Sequence, residues 1–108
     1  MGRKLKIGLT KAEMNIIKAH CQEYSRRRVA LEFKSKPTDV LEEYERLNGI
    51  IDTALSTIEV GIRMQILDDV AWSRGYFFSQ ASPFMTKETY YSRKKEFIHS
   101  FAKGLNFV

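Results

Sequence analysis

Apolar side chains recur along this chain at steps of three and four, which is the spacing of one face of an α-helix. Met14, Ile17, Cys21, Tyr24, Arg28 and Leu31 form a first such series. Leu41, Tyr44, Asn48, Ile51, Leu55, Ile58 and Ile62 form a second, with polar Asn48 on the seam. Ile58, Ile62, Ile66 and Val70 mark the buried face of a third segment, and Trp72 is expected to seal its end. Tyr90, Phe97, Ile98 and Phe101 form a fourth series near the C-terminus. No run carries the two-residue alternation of a half-buried strand, so the pattern predicts an all-α chain of four to five helices.

Local signals place the boundaries. Thr10-Lys-Ala-Glu13 has the form of a capping box, a hydroxyl at the N-cap and a carboxylate three residues on. It predicts a first helix over 11–33. Pro37 cannot continue a helix and biases its predecessor away from helical angles, so Lys34-Ser-Lys-Pro-Thr38 is a break. Asp39-x-x-Glu42 is a second capping-box candidate and opens the next helix. A single helix from Val40 to Arg74 would be about 50 Å long at 1.5 Å per residue. A third candidate, Ser56-Thr-Ile-Glu59, instead predicts a break near 55–57. Gly75 is the expected C-cap of the following helix. Pro83 limits 76–85 to turns or a short helix, and Thr86 caps a last helix ending near Gly104. The organisation expected is a basic arm over 1–9, a helical hairpin over 10–55, and a segment over 56–108 packed with it as one unit.

Charge is distributed unevenly. Residues 1–36 are net +7, residues 37–72 net −6 and residues 73–108 net +4. Basic ends converging on one face would attract a nucleic acid; basic and acidic elements pairing inside the fold would attract nothing. Both readings stand at this level. With 108 residues and 44% hydrophobic content the chain is expected to bury one core. No apolar run approaches the length of a membrane span. The N-terminus lacks a signal-peptide stretch, and Lys6 stands where a myristoylation signal needs Ser or Thr. The lone Cys21 forms no internal disulfide.

The segment Thr86-Lys-Glu-Thr-Tyr-Tyr-Ser-Arg-Lys-Lys-Glu-Phe-Ile-His-Ser-Phe-Ala102 combines a capped start, a basic face and an apolar back. That is the layout of a DNA-recognition helix. The candidate DNA-binding residues are Lys87, Thr89, Tyr91, Ser92, Arg93, Lys94 and Lys95, with Lys87, Tyr91, Ser92 and Lys95 expected to face the duplex. Lys and Arg donate to guanine edges, and Ser, Thr and Tyr to phosphates. Arg3, Lys4, Arg26 and Arg27 are further candidate phosphate contacts; a solvated, dipole-complementing helix end is the competing reading of the arginine run. Leu41, Tyr44, Asn48 and Ile51 are candidate interface positions, since a seam Asn can set oligomeric state.

Catalytic chemistry finds little purchase. His20 and Cys21 diverge by ~100° on a helix, His99 has no evident acid partner, and the six glycines are scattered. One Cys and two distant His do not make a metal site. Asp52, Glu59, Asp68 and Asp69 read as a solvated acidic face. No enzyme activity, cofactor or metal is expected.

The C-terminal half resembles the sigma-factor type of helix-turn-helix, and in particular the small phage late-gene transcriptional regulators of the ArpU and RinA kind. Ile51-Asp-Thr-Ala-Leu-Ser-Thr-Ile58 is similar to their lead-in, and Ile66-Leu-Asp-Asp-Val-Ala-Trp72 to their first helix. Phe78-Ser-Gln-Ala81 falls in the second-helix slot, and Met85-Thr-Lys-Glu-Thr-Tyr-Tyr91 in the turn and recognition helix. The likeness spans about residues 50–104; Pro83 and the Asp68-Asp69 pair depart from it. It implies a phage or prophage DNA-binding transcriptional regulator in the bacterial cytoplasm, its last helix in the major groove. Double-stranded DNA, RNA polymerase and a second copy of the chain are the implied partners. A helical protein–protein interaction module without DNA binding, and a packaging component such as a small terminase subunit, are the alternatives.

Overall fold

A computed structural model describes residues 8–108. Four α-helices occur among these residues: α1 Lys11–Phe33, α2 Thr38–Leu55, α3 Arg63–Ala71 and α4 Lys87–Gly104. A 3₁₀ turn, Val60–Ile62, leads into α3. Two more, Tyr76–Phe78 and Ser82–Phe84, lie in the connection to α4. No strand occurs among the described residues. The chain is all-α.

α1 begins as its sequence dictates: the Glu13 amide donates to the Thr10 hydroxyl (3.0 Å) and the Thr10 amide to the Glu13 carboxylate (2.9 Å). It ends with Lys34 in the left-handed region (φ 49°) while the Ser35 amide donates to the Ala30 carbonyl. The other two capping boxes do not form. α2 opens one residue before Asp39, with Pro37 as an N-cap that offers no side-chain acceptor. The Ser56 hydroxyl turns back to donate to the Thr53 carbonyl (2.6 Å). The break after Leu55 nonetheless falls where expected. Arg63 stabilises it by donating to the carbonyls of Ile58 (2.7 Å) and Ser56 (2.9 Å), which end-of-helix geometry would leave unpaired. α3 closes through Ser73 (φ 58°), with the Arg74 amide on the Asp69 carbonyl (2.8 Å). Ser73, not Gly75, therefore takes the left-handed position. Asn106 (φ 64°) does the same after α4.

α1 and α2 form the antiparallel hairpin, α3 packs on α1, and α4 lies across α2 and α3. Ile17, Cys21 and Tyr24 of α1 meet Ile51, Ala54 and Leu55 of α2, Ile66, Leu67 and Val70 of α3, and Phe97, Ile98 and Phe101 of α4 in one core. α4 reaches α2 so closely that a Cβ on Gly104 would stand 2.4 Å from Ile50 Cγ2.

The seam of α1 is rotated from its expected register: Arg27 and Ala30 are buried, while Arg28 is exposed and Leu31 half-buried. Arg27 donates to Asn48 Oδ1 (2.6 Å) and to the His20 carbonyl (2.7 Å), and Asn48 Nδ2 donates to the Tyr24 carbonyl (3.1 Å). Asn48 thus fixes the register of two helices within one chain. Asn48 and Ile51 are interior and unavailable as interface positions; Leu41 and Tyr44 stay half-buried at the hairpin's edge. Trp72 does not seal α3, being 58% exposed.

Candidate nucleic-acid interface

α4 is positioned by its own apolar back and by a polar network at its N-terminal half. Tyr90, Phe97, Ile98, Phe101 and Ala102 are fully buried. Thr86 caps the helix, its hydroxyl accepting from the Thr89 amide (3.2 Å). Asp69, 1% exposed, accepts from the Tyr90 hydroxyl (2.8 Å) and from Arg74 Nε (3.0 Å). The Tyr76 amide donates to the Tyr91 hydroxyl (3.2 Å). The Tyr76 hydroxyl in turn donates to the Met85 carbonyl (2.8 Å), with the Ser82 carbonyl (3.1 Å) sharing the same proton. The slot expected to hold a second α-helix, Phe78–Ala81, contains only the last residue of one 3₁₀ turn and the turn that links it to the next. Tyrosine hydroxyls, rather than a scaffold helix, hold the start of α4.

This arrangement divides the seven candidate DNA-binding residues. Lys87, Ser92 and Lys95 are exposed, beside Glu88 and His99. Tyr91 is 39% exposed, its ring accessible and its oxygen engaged. Thr89 is half-buried and tied to the cap through Thr86. Arg93 forms a two-pronged pair with Glu59 (2.8 and 3.1 Å) across to the segment before α3. Lys94 turns inward, donating to the Arg74 carbonyl (2.6 Å) and lying against the Tyr90 and Tyr91 rings. Burial lowers the Lys94 ammonium's pKa, partly opposed by the Asp69 carboxylate, with the nearby charge of Lys18 adding a smaller push downward. Arg93 and Lys94 are thus drawn into tethering α4. Of the phosphate candidates, Arg27 is 3% exposed and locked to Asn48, and Arg26 pairs with Glu23 on the surface. Arg3 and Lys4 lie outside the described residues.

The acidic residues do not form one face. Asp52 accepts from the Tyr24 hydroxyl, Glu59 holds Arg93, Asp69 is buried under Tyr90, and Asp68 alone is both exposed and unpaired among the described residues. Cys21 sits in the core, where burial pushes its thiol up to about 12. His20 lies against the Phe101 ring, its pKa lowered by burial and by Arg27 and Arg46.

Two features had no motif to announce them. A groove of about 570 Å³ runs between α1, the end of α3 and α4, with Lys18, Arg74, Lys94 and Tyr91 among its lining residues. The connection from α3 to α4 also presents Phe77, Phe78 and Phe84 at 75, 81 and 77% exposure. The aromatic run Tyr76-Phe77-Phe78 was visible in the sequence, but its outward direction follows from the 3₁₀ turn. No helix among the described residues is long and apolar enough to cross a membrane. Compared with protein-family models, curated proteins and solved structures, the chain matches none.

Proposed function

We propose that the protein binds double-stranded DNA as a transcriptional regulator of the phage or prophage type, with the N-terminal half of α4 entering the major groove. One observation carries this reading. The first turns of α4 hold their back in the core through Tyr90 while Lys87, Ser92 and Lys95 point to solvent. A rigidly seated helix with cations and a hydroxyl on its outer face suits base-edge and phosphate contact. Lys87, Lys95 and Ser92 are assigned the contacts, Tyr91 a ring contact, and Arg93 and Lys94 the holding of the helix. RNA polymerase, a second copy of the chain and a bacterial cytoplasmic setting belong to the same reading.

The test is fluorescence anisotropy with duplex DNA from the region beside the gene, against random duplex, at several salt concentrations. Preference for the local duplex with a steep salt slope is expected. Lys95→Ala should weaken binding by about 1–3 kcal/mol if it meets a base, or lower the salt slope by about one if it meets a phosphate. Absence of binding at low salt would refute the reading, since even non-specific electrostatic binders respond there.

The exposed Phe77, Phe78 and Phe84 favour a second reading, a helical protein–protein interaction module. Under it, Phe78→Ser would abolish partner capture while Lys95→Ala would leave it unchanged.

A further inference from the structure

The groove between α1 and α4 gathers more positive charge than the fold neutralises. Lys18, Arg74 and Lys94 line it, and the one carboxylate among the lining residues is Asp69. Both Asp69 oxygens are occupied, one by Tyr90 and the other by Arg74 Nε. The terminal nitrogens of Arg74 meet no acceptor among the described residues, and neither does Lys18. Lys94 uses one of its three donors, on the Arg74 carbonyl. With two ammonium groups and a guanidinium against the single Asp69 carboxylate, the groove carries a surplus of positive charge whose repulsion an entering anion would relieve. The walls are shaped to leave room. Gly75 lines the groove where a Cβ would stand 3.1 Å from the Tyr91 hydroxyl.

We propose that this groove is a phosphate-binding site, in which Lys18, Lys94 and the free edge of the Arg74 guanidinium grip one tetrahedral oxyanion beside Tyr91. Arginine offers a planar fork and the lysines offer point charges, the pairing that suits phosphate. The phosphate comes either from a DNA backbone or from a small phosphoester. That the source is DNA rests on the function proposed above; the site itself rests on the groove alone. On a duplex, this grip would fix how α4 is set down, since Lys94 is on that helix and Lys18 and Arg74 brace it from α1 and the end of α3.

The experiment is a titration of the ¹⁵N-labelled full chain with inorganic phosphate at constant ionic strength, followed by NMR at the Gly75 amide and Arg74 Nε–H, then repeated with duplex DNA as competitor. Saturable shifts at these signals are expected. Lys18→Gln, at a side chain that makes no hydrogen bond or ion pair among the described residues, should weaken phosphate binding at least 10-fold without loss of folding. Lys103→Gln, the same charge change at the far end of α4, should leave it unchanged. If duplex DNA displaces phosphate, and Lys18→Gln lowers the salt slope of DNA binding, the phosphate is the backbone's. If phosphate binds at the groove and DNA does not compete, the site stands as one for a small phosphoester, and the DNA reading is judged separately by Lys95→Ala. Absence of saturable shifts at Gly75 and Arg74, or equal affinity in Lys18→Gln and the parent, overturns the proposal even if DNA binds through Lys87 and Lys95.

Discussion

Replacing Tyr90 by Phe tests whether the start of α4 is held as described. The substitution removes one oxygen and leaves the ring, which is fully buried, in its packing site. What is lost is the 2.8 Å hydrogen bond from the hydroxyl to Asp69 Oδ2 and a longer 3.3 Å approach to the Arg74 carbonyl. Asp69 is 1% exposed, so water does not readily replace the donor. A hydrogen bond to a charged group contributes about 1.5–3 kcal/mol, and orphaning a buried acceptor places the cost toward the upper part of that range, about 2–3 kcal/mol. At roughly 4–8 °C per kcal/mol for a domain near this size, the melting temperature should fall by roughly 8–24 °C. Circular dichroism at 222 nm during heating and urea denaturation measures both quantities. Tyr91→Phe is the control: it removes a neutral hydrogen bond at a 39% exposed side chain and should cost less. In the double variant Tyr90→Phe/Asp69→Asn, the Tyr90 change should cost less than it does alone, with a coupling of about 1 kcal/mol. A Tyr90→Phe variant within about 0.5 kcal/mol of the parent, or one that adds independently to Asp69→Asn, would refute the buried hydrogen bond as the anchor of α4.

Three further outcomes follow from the same contacts. Asn48→Leu leaves the buried Arg27 Nε without its acceptor, so stability should fall by about 3–5 kcal/mol, with sedimentation showing the same oligomeric state as the parent. Gly104→Ala places a methyl 2.4 Å from Ile50 Cγ2; overpacking of about 1–3 kcal/mol should exceed the gain of about 1 kcal/mol in helix propensity, and adding Ile50→Ala should reverse the sign, as read by urea midpoints. The Cys21 thiol, raised from 9.0 to about 12 by burial, and the Tyr24 hydroxyl, raised from 10.0 to about 12 by burial and by Asp52, both stay protonated in the folded chain where the unfolded chain ionises. Their contribution is intact below pH 9 and is lost as pH rises toward about 12, so the urea midpoint should decline from pH 8 to pH 10.5, and native Cys21 should resist a thiol reagent at pH 8.

Periodicity and local caps were sufficient for the elements. The four-residue spacing of Ile58, Ile62, Ile66 and Val70 picks out four buried side chains, but only Ile66 and Val70 lie in α3, Ile58 being in the turn after α2 and Ile62 at the end of the 3₁₀ turn. Thr10 with Glu13, Thr86 alone, and the break at Pro37 act within a few residues of themselves, so their chemistry is legible along the chain. Capping boxes proved weaker signals where a rival partner was near: Ser56 met the Thr53 carbonyl, and Arg63 supplied the turn's donors from outside the motif. The one-residue rotation of α1 that buries Arg27 in place of Arg28 was invisible because both arginines fit the spacing and only Asn48, on another helix, distinguishes them.

The side chains of α4 divide the same way. That a basic, capped helix stands at residues 87–104 is a property of its own sequence: a hydroxyl at Thr86, helix-forming residues behind it, and an apolar stripe at helical spacing. Which of its cations reach solvent is not. Arg93 and Lys94 are adjacent to Lys95 in sequence and chemically like it, yet Glu59, 34 residues away, takes the first, and the Arg74 carbonyl, 20 residues away, takes the second. Asp69, one of a pair of acids that read as solvated, is buried because Tyr90 and Arg74 meet it there. Lys18 joins Arg74 and Lys94 at one groove only because α1 lies beside the end of α3 and the middle of α4. Helix formation depends on interactions within a turn or two, whereas burial, pairing and the convergence of charge depend on which faces the packing brings together.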